Sequence, residues 1–496
     1  MTLKFRRNYH IILLLVSVIV FFGIGLGSQR VIAYTTRPVA ANTQPLANGG
    51  DITNPVALFD EGLVHSIQIQ MAEEDYQKML TTYQQIGVKD YFQADVVIDG
   101  VRVDEVGVRL KGHASLMTQV CRVRPGARQP EQPQPGEQAG LPPEAPEGRQ
   151  PPPPQGNIPA GCKMPGAANN ALSPDEISHL PLLIQFDRFV AGQTYQGYTA
   201  IAIRTGGTTS DPAMLQEPVT NAAYRLTDLP APLTVYTGLQ INAGEETLHV
   251  ISEVIDEAYL ARNFPDSSGV LYKALLGADV LTYKGAEPSQ YATSFSQKTR
   301  LGDADMAALI EFIRFINTTD DAEFARELPR YLDVDSFAAY LAINSLLVNM
   351  DSLVAGNGNN FYLYYNEADE RMTLLFWDGN ESLGAFSPER AVSLNPFYEQ
   401  QGSYTPRNQS ILITRFMAEP SFRVLYEDKL RLVYERIFSN GKMIAQAEQY
   451  IALVRAANAG SRLVALDDYN QAAENVLSFI RRRTEYLNTT ELSSGQ

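Results

Sequence analysis

The sequence is short of the residues that most often build metal and nucleophile sites. Its 496 residues include two cysteines, five histidines and one tryptophan. Two cysteines this far apart in sequence lack the close spacing that is typical of a zinc site. The histidines are scattered, without the spacing that would suggest a catalytic triad. Neither a zinc fold nor a triad hydrolase is therefore predicted.

Positive charge is also in deficit, with 40 Lys and Arg against 56 Asp and Glu and a formal net charge of −16. A chain of this charge has no broad electrostatic attraction for nucleic acid or anionic lipid, although a local basic groove could still bind a phosphate. No nucleic-acid partner is predicted.

Long apolar stretches are rare, and the one present runs from Ile11 to Leu26, after a basic start at Lys4 and before a small-residue end at Ala33. This is the layout of a secretory signal peptide. The stretch is slightly long for a cleaved signal and slightly short for a membrane span, so an uncleaved anchor stays open. Residues 1–33 therefore predict an extracytoplasmic protein, secreted or anchored by this single N-terminal segment.

Two segments have the composition of connections. Residues 34–62 are polar and rich in Asn, Thr, Pro and Gly, which is typical of a linker. Cys121 and Cys162 bracket a proline-rich segment, and in an exported protein they predict one disulfide. That segment cannot bury enough apolar surface to fold alone. We interpret 122–175 as an insert, either a bare spacer or a ligand for proline-recognising modules.

Alternating apolar and polar residues predict a strand-rich first half. An Asp99-Gly100 turn joins two of its strands, and Met214–Leu226 is predicted as the first helix of any length. The predicted strands are 65–70, 91–98, 101–110, 180–186, 198–204, 233–241 and 248–255. Helical periodicity then dominates, broken by one hairpin over Phe361–Trp377. The pattern predicts an α+β fold with a strand-rich N-lobe, 63–256, and a helical C-lobe, 257–487.

Three polar clusters within apolar sequence are candidates for chemistry. Arg109 and Lys111 share a strand face that ends at a glycine, where two cations could hold phosphate oxygens. Asp351 and Asn360 flank a glycine-containing loop and could position a hydroxyl and bind magnesium. Asp378 ends a buried strand one hairpin later, where a second metal ligand would fall. The plain alternatives are a solvated strand face and ordinary turns.

In this order the clusters resemble the site of a protein kinase, although no His-Arg-Asp, Asp-Phe-Gly or Val-Ala-Ile-Lys motif is found. Six segments also match one family in order: GVRLKGHAS, GLQINAGEETLHVISEVIDEAYLARNF, SGVLYK, VDSFAAYLAINSLLVNMD, NNFYLY and FWDGNESLG. By these segments the sequence resembles the CotH kinase family, named for a spore coat protein, over roughly 64–456.

The resemblance implies a two-lobed atypical protein-kinase fold that transfers the γ-phosphate of ATP to hydroxyls of a protein substrate, using Mg²⁺ or Mn²⁺. Glu253 would either orient the nucleotide or pair with a cation. The site residues that it implies are Asp351 as the catalytic residue, Asp378, Asn360 and Asn380 at the metal, and Arg109, Lys111 and Glu253 at the nucleotide.

Two departures from the family pattern keep an alternative open. Asn380 replaces the second acid of a Trp-Asp-x-Asp motif, which keeps an oxygen ligand but removes a charge. The strand over 180–186 lacks the family's lysine, so Lys111 or Arg188 must replace it. Otherwise the protein is a catalytically inactive surface or envelope scaffold. A hydrolase with paired carboxylates is less favoured, because no acid partner lies near Asp351 in sequence.

Overall fold

The structure is a computed structural model, and it describes residues 49–112, 179–204, 207–208, 211–275, 280–302, 305–355, 360–394 and 410–493. The predicted export segment, the proline-rich insert and the predicted disulfide lie outside these ranges. Within them, no helix combines the length and the apolar character that crossing a membrane requires.

Thirteen short strands are present in the described ranges, and seven of them close into a barrel. In chain order the first nine are β1 (Asp51–Ile52), β2 (His65–Gln70), β3 (Phe92–Ile98), β4 (Val101–Leu110), β5 (Leu182–Gln185), β6 (Thr194–Tyr195), β7 (Ala200–Ile203), β8 (Thr234–Ile241) and β9 (Thr247–Glu253). The barrel order is β2-β3-β4-β5-β7-β9-β8, closed by a parallel pairing of β8 with β2. Because side chains alternate between faces, Ile201, Val235 and Ile251 fill the barrel core, and their neighbours in sequence lie on its outer face.

The barrel strands fall where the alternation predicts them, but the first half differs from the sequence-based expectation in two places. Residues 49–62, predicted as linker, belong to the fold, because β1 pairs with β6 and Leu58 is buried in the barrel core. A helix, α1 (Glu73–Ile86), precedes the one predicted as first. Of its described side chains only Met79, Leu80 and Tyr83 are buried, so the helical period of its apolar residues is weak in the sequence.

The predicted hairpin in the second half is part of a larger sheet. It consists of β12 (Phe361–Asn366) and β13 (Arg371–Phe376), and β10 (Val270–Ala274) and β11 (Phe295–Gln297) extend it in the order β11-β10-β12-β13. All three pairings are antiparallel. The SGVLYK segment supplies β10, which brings Lys273 beside β12.

Ten α-helices in the described ranges surround this sheet and flank the barrel. After α1 they are α2 (Gln216–Leu226), α3 (Glu257–Asn263), α4 (Ala307–Thr318), α5 (Asp321–Tyr331), α6 (Val334–Leu347), α7 (Ile411–Ala418), α8 (Pro420–Val433), α9 (Lys442–Asn458) and α10 (Leu466–Leu487). The helix α6 is buried on all sides from Phe337 to its end. It stops at Val348, whose φ of 52° is unusual for a β-branched residue and turns the chain sharply. The α+β class is confirmed.

A buried arginine supports the chain on both sides of the candidate site. Arg483 of α10 is fully buried and donates Nε to the carbonyl of Leu346 at 3.0 Å. Its Nη2 donates to the carbonyl of Ser345 at 3.2 Å, and its Nη1 donates to the carbonyls of Ala391, at 3.2 Å, and Ser393. The end of α6 and the segment around Ala391 are therefore held by one side chain.

Candidate active site

A chain of ion pairs joins the barrel, α2 and the loop after β13. Arg204, directly after β7, donates Nε to Glu217 Oε2 at 2.6 Å and Nη2 to the Asp378 carboxylate. Glu217 lies in the first turn of α2, and burial raises the pKa of its carboxyl while Arg204 opposes that shift. Arg204 is thus the common partner of two acids from different elements.

The indole of Trp377 is surrounded by cations. Lys111 Nζ lies 4.5 Å from the ring centroid, Arg204 Cζ 5.5 Å and Lys273 Nζ 5.7 Å. Burial lowers the pKa of Lys273 to about 8 and holds that of Lys111 well below its usual value, and repulsion by neighbouring cations adds to both shifts. Such desolvated cations, held on one aromatic ring, form a favourable place for an anion.

The acidic side chains of the site lie in two loops that contact each other, one after α6 and one after β13. Asn360 Nδ2 donates to Asp351 Oδ2 at 2.5 Å, and the Met350 amide donates to the Glu381 carbonyl at 3.0 Å. Asn360 and Asp378 both have positive φ, 56° and 65°. Asn and Asp adopt this left-handed conformation more readily than other residues with a Cβ, and it turns the chain sharply at both positions.

Glu381 adds a carboxyl that was not predicted from the sequence. Burial raises its pKa to about 8, and the nearby charges of Asp351 and Asp378 add to the shift. It directly follows Asn380, where the expected second acid is missing. No three His, Cys, Asp or Glu side chains of the described ranges are arranged to hold a metal by themselves. The oxygens of Asn360, Asp378 and Glu381 nevertheless suit a hard divalent cation that shares its ligands with phosphates.

The helix α2 fixes the position of this acidic loop. Thr220 Oγ1 hydrogen-bonds Ser382 Oγ, and Tyr224 stacks on Phe376 with 4.2 Å between ring centroids. A Cβ at Gly379 would lie 2.7 Å from Thr220 Cγ2, closer than real Cβ contacts. The loop after β13 can approach α2 because position 379 has no side chain.

We expect Gly379→Ala to separate the Asp378 loop from α2, at a cost of about 1–3 kcal/mol in the free energy of unfolding, as for overpacked cores. Thermal and urea denaturation would measure this loss. Gly50→Ala is a matched control, because a Cβ at Gly50 meets nothing within 4 Å. Equal stability of the two variants would contradict this role for Gly379.

A family model described as CotH kinase protein matches residues 175–487, well over half of the chain. The chain belongs to the CotH kinase family. A curated relative, the inner spore coat protein H of Bacillus subtilis strain 168, is 21% identical over 311 residues, which are 60% of this chain and 80% of the relative. The CotH match includes Arg204, Glu217, Asp351 and Asp378, whereas Lys111 precedes it.

The residues predicted for the CotH site are not all in one place. Lys111 lies on Trp377 beside Asp378, and Asn380 lines a small cavity with Arg204 and Glu217. Arg109 stacks on Tyr91, with its Cζ 5.1 Å from the ring centroid, and its charge contributes to the lowered pKa of Lys273.

Of the two roles expected for Glu253, orienting the nucleotide or pairing with a cation, the structure shows the pairing. It is fully buried and accepts hydrogen bonds from Arg262 at 3.1 and 2.5 Å, which joins the end of β9 to α3. The structure brings Glu253 to this junction rather than to the cations around Trp377.

Arg204, Glu217 and Lys273 were not predicted from the sequence. In protein kinases a strand lysine within Val-Ala-Ile-Lys pairs with a helix glutamate. The CotH chain has Ile201-Ala202-Ile203 on β7, with Arg204 directly after it and Glu217 on α2. A similar pattern is therefore present, with arginine in place of lysine. A version of the Val-Ala-Ile-Lys motif that allows arginine at its last position identifies Arg204 from the sequence.

Proposed function

We propose that this CotH family member is an exported protein kinase that transfers the γ-phosphate of ATP to a protein hydroxyl with Mg²⁺ or Mn²⁺. The observation that carries the proposal is the contact of Arg204 with both Glu217 and Asp378. In protein kinases a strand cation paired with a helix glutamate must be in place together with a metal-binding aspartate.

Asp351 and the cations around Trp377 have further roles in this proposal. Asp351, oriented by Asn360, accepts the proton of the acceptor hydroxyl. Lys111, Lys273 and Arg204 bind phosphate oxygens. The metal, when bound, neutralises charge on the phosphates, and catalysis then rests on positioning and charge stabilisation. The barrel with α2 corresponds to an N-lobe, and the β10–β13 sheet with its helices corresponds to a C-lobe.

Asn380 favours a second candidate, an inactive scaffold that keeps the fold and does not transfer phosphate. Its carboxamide removes one charge from the metal site. Arg204 counts against this candidate, because it supplies the cation that the strand over 180–186 lacks. Glu381 counts against it as well, because it places another carboxyl near Asp351 and Asp378.

The two candidates are separated by incubating the full chain with labelled ATP and Mn²⁺ or Mg²⁺, with its own hydroxyls and a generic acceptor protein as targets. We expect label transfer, and we expect ATP with metal to raise the melting temperature by several degrees through ligand linkage. Asp378→Asn should lose both effects, whereas Asp468→Asn, an exposed acid at the start of α10, should keep them. A melting shift without transfer favours the scaffold, and the absence of both contradicts nucleotide binding.

A further inference from the structure

A second group of cations lies beside those around Trp377, and none of its members forms an ion pair with an acid in the ranges that the structure describes. Acids outnumber Lys and Arg by 56 to 40 in the sequence. Arginines elsewhere on the surface do pair with them, as Arg102 does with Asp95. The group, which we call the Tyr91 cluster, consists of Lys89, Arg109, Arg188 and Lys298.

Two arginines of the cluster share one aromatic ring. Arg109 Cζ lies 5.1 Å and Arg188 Cζ 4.8 Å from the ring centroid of Tyr91. Gly107 of β4 leaves the space for this arrangement, because a Cβ there would lie 2.6 Å from Arg188 Cβ and Cγ. Stacking occupies the flat face of a guanidinium and leaves its N–H edge for a ligand.

The acid next to Arg188 in sequence does not neutralise it. Asp187 accepts a hydrogen bond from Gln185 Nε2 at 2.9 Å, and Arg188 itself is exposed. The Arg109 guanidinium donates Nη1 to the carbonyl of Leu110 at 3.0 Å, which fixes the side chain without cancelling its charge. Both arginines therefore keep a full positive charge for a ligand.

The two lysines come from opposite sides of the site. Lys89, between α1 and β3, donates to the carbonyl of Gly112 just after β4. Lys298 directly follows β11, and Ser296 of that strand is paired with Lys273 of β10. Because side chains two residues apart share a face, Lys298 and Lys273 lie on the same face of the β10–β13 sheet. Burial lowers the pKa of Lys89 and Lys298, and repulsion by Arg109 adds to both shifts.

The cluster adjoins the cations around Trp377. Arg109 and Lys298 both contribute to the lowered pKa of Lys273, which lies on the Trp377 ring. Neighbouring strands are about 4.8 Å apart, so Lys298 lies roughly one strand spacing from Lys273. Like charges this close repel each other and raise the free energy of the protein without a ligand. A bound anion would remove this cost.

We propose that the Tyr91 cluster binds an anionic side chain of the protein substrate, a phosphorylated residue or a carboxylate, close to the hydroxyl that receives the γ-phosphate. This inference rests on the proposed function, in which Lys111, Lys273 and Arg204 hold the phosphates of ATP. Two guanidinium groups and two ammonium groups suit a phosphate dianion better than a carboxylate. An extended peptide advances about 3.4 Å per residue, so the anion falls within about four residues of the acceptor.

The test uses the full chain with labelled ATP and Mn²⁺, and alanine-rich peptides that each contain one serine acceptor. At one position within about four residues of the serine, a peptide carries alanine, glutamate or phosphoserine. At the best position we expect kcat/KM for the phosphoserine peptide to exceed that for the alanine peptide by about tenfold, as for one charge-assisted hydrogen bond. The net charge of −16 repels anionic peptides in general, so such a preference indicates a local site.

Arg188→Gln and Lys298→Gln should both bring this preference down to near the value for the alanine peptide. The two residues lie on different sheets, so equal effects show that they act on one ligand. Arg482→Gln, the same change at an exposed position of α10, should keep the wild-type preference. Trp377 is the one tryptophan of the sequence, and its fluorescence measures ATP affinity separately in each variant.

Fluorescence anisotropy of dye-labelled versions of the peptides measures their affinities without turnover. A preference for phosphoserine alone assigns the cluster to phosphorylated residues, and an equal preference for glutamate assigns it to carboxylates. Equal affinity of wild type for all three peptides overturns the inference, as does a loss of ATP affinity in Arg188→Gln and Lys298→Gln with peptide preference intact. If wild type prefers the anionic peptides but neither binds ATP nor transfers label, the proposed function fails and the anion site remains.

Discussion

Asp351→Asn is expected to reduce phosphate transfer by about 10²–10⁴-fold, the range that a positioned general base contributes. The amide has nearly the same shape and can still accept the hydrogen bond from Asn360, but it cannot take a proton. Nucleotide affinity should change little, because Lys111, Lys273 and Arg204 are untouched. Initial rates with labelled ATP and binding by Trp377 fluorescence would measure the two effects separately.

Asp335→Asn is the matched control for this variant. It makes the same chemical change in the first turn of α6, where Asp335 pairs with Lys429 on the surface. Unchanged transfer in Asp351→Asn would show that Asp351 is not the base. Loss of ATP affinity together with transfer would instead assign Asp351 to the metal.

The largest loss of stability is expected for Arg483→Leu, at least about 3 kcal/mol in the free energy of unfolding. The guanidinium donates to carbonyls at the end of α6 and around Ala391, and leucine leaves those buried acceptors without this donor. Each unsatisfied group costs about 1–3 kcal/mol. Urea denaturation followed by circular dichroism would measure the change.

Arg482→Leu makes the same substitution one residue earlier, at an exposed position of α10. We expect it to change the free energy of unfolding by no more than about 0.5 kcal/mol, as surface substitutions usually do. A loss of similar size in both variants would mean that α10 tolerates no leucine there, and that the buried hydrogen bonds of Arg483 contribute little.

Local sequence patterns predicted most of the fold. Alternation located the barrel strands, and the Asp99-Gly100 pair located a turn in which both residues have positive φ. The parallel pairing of β8 with β2 and the addition of β10 to the β12–β13 hairpin were not predictable, because they join segments far apart in sequence and leave no local period.

The residues of the candidate site were likewise predictable only where the signal is local in the sequence. Asp351, Asn360 and Asp378 were predicted because each interrupts an apolar segment. Lys273 resembles any other strand lysine, and its position beside Trp377 depends on β10 pairing with β12. Glu381 follows in the same loop as Asp378, but only the tertiary structure brings its carboxyl near Asp351.

The pairing of β4 with β5 determines how freely the length of the chain between these two strands can change. Leu110 and Leu182 are direct partners, so the chain leaves the barrel and returns to it at neighbouring points. The entropy cost of closing a loop grows slowly, by about 0.6 kcal/mol for each doubling of the loop's length. The connection between these strands can therefore lengthen or shorten over generations at little cost to the barrel. Lys111 limits this freedom, because it follows β4 directly and contacts Trp377.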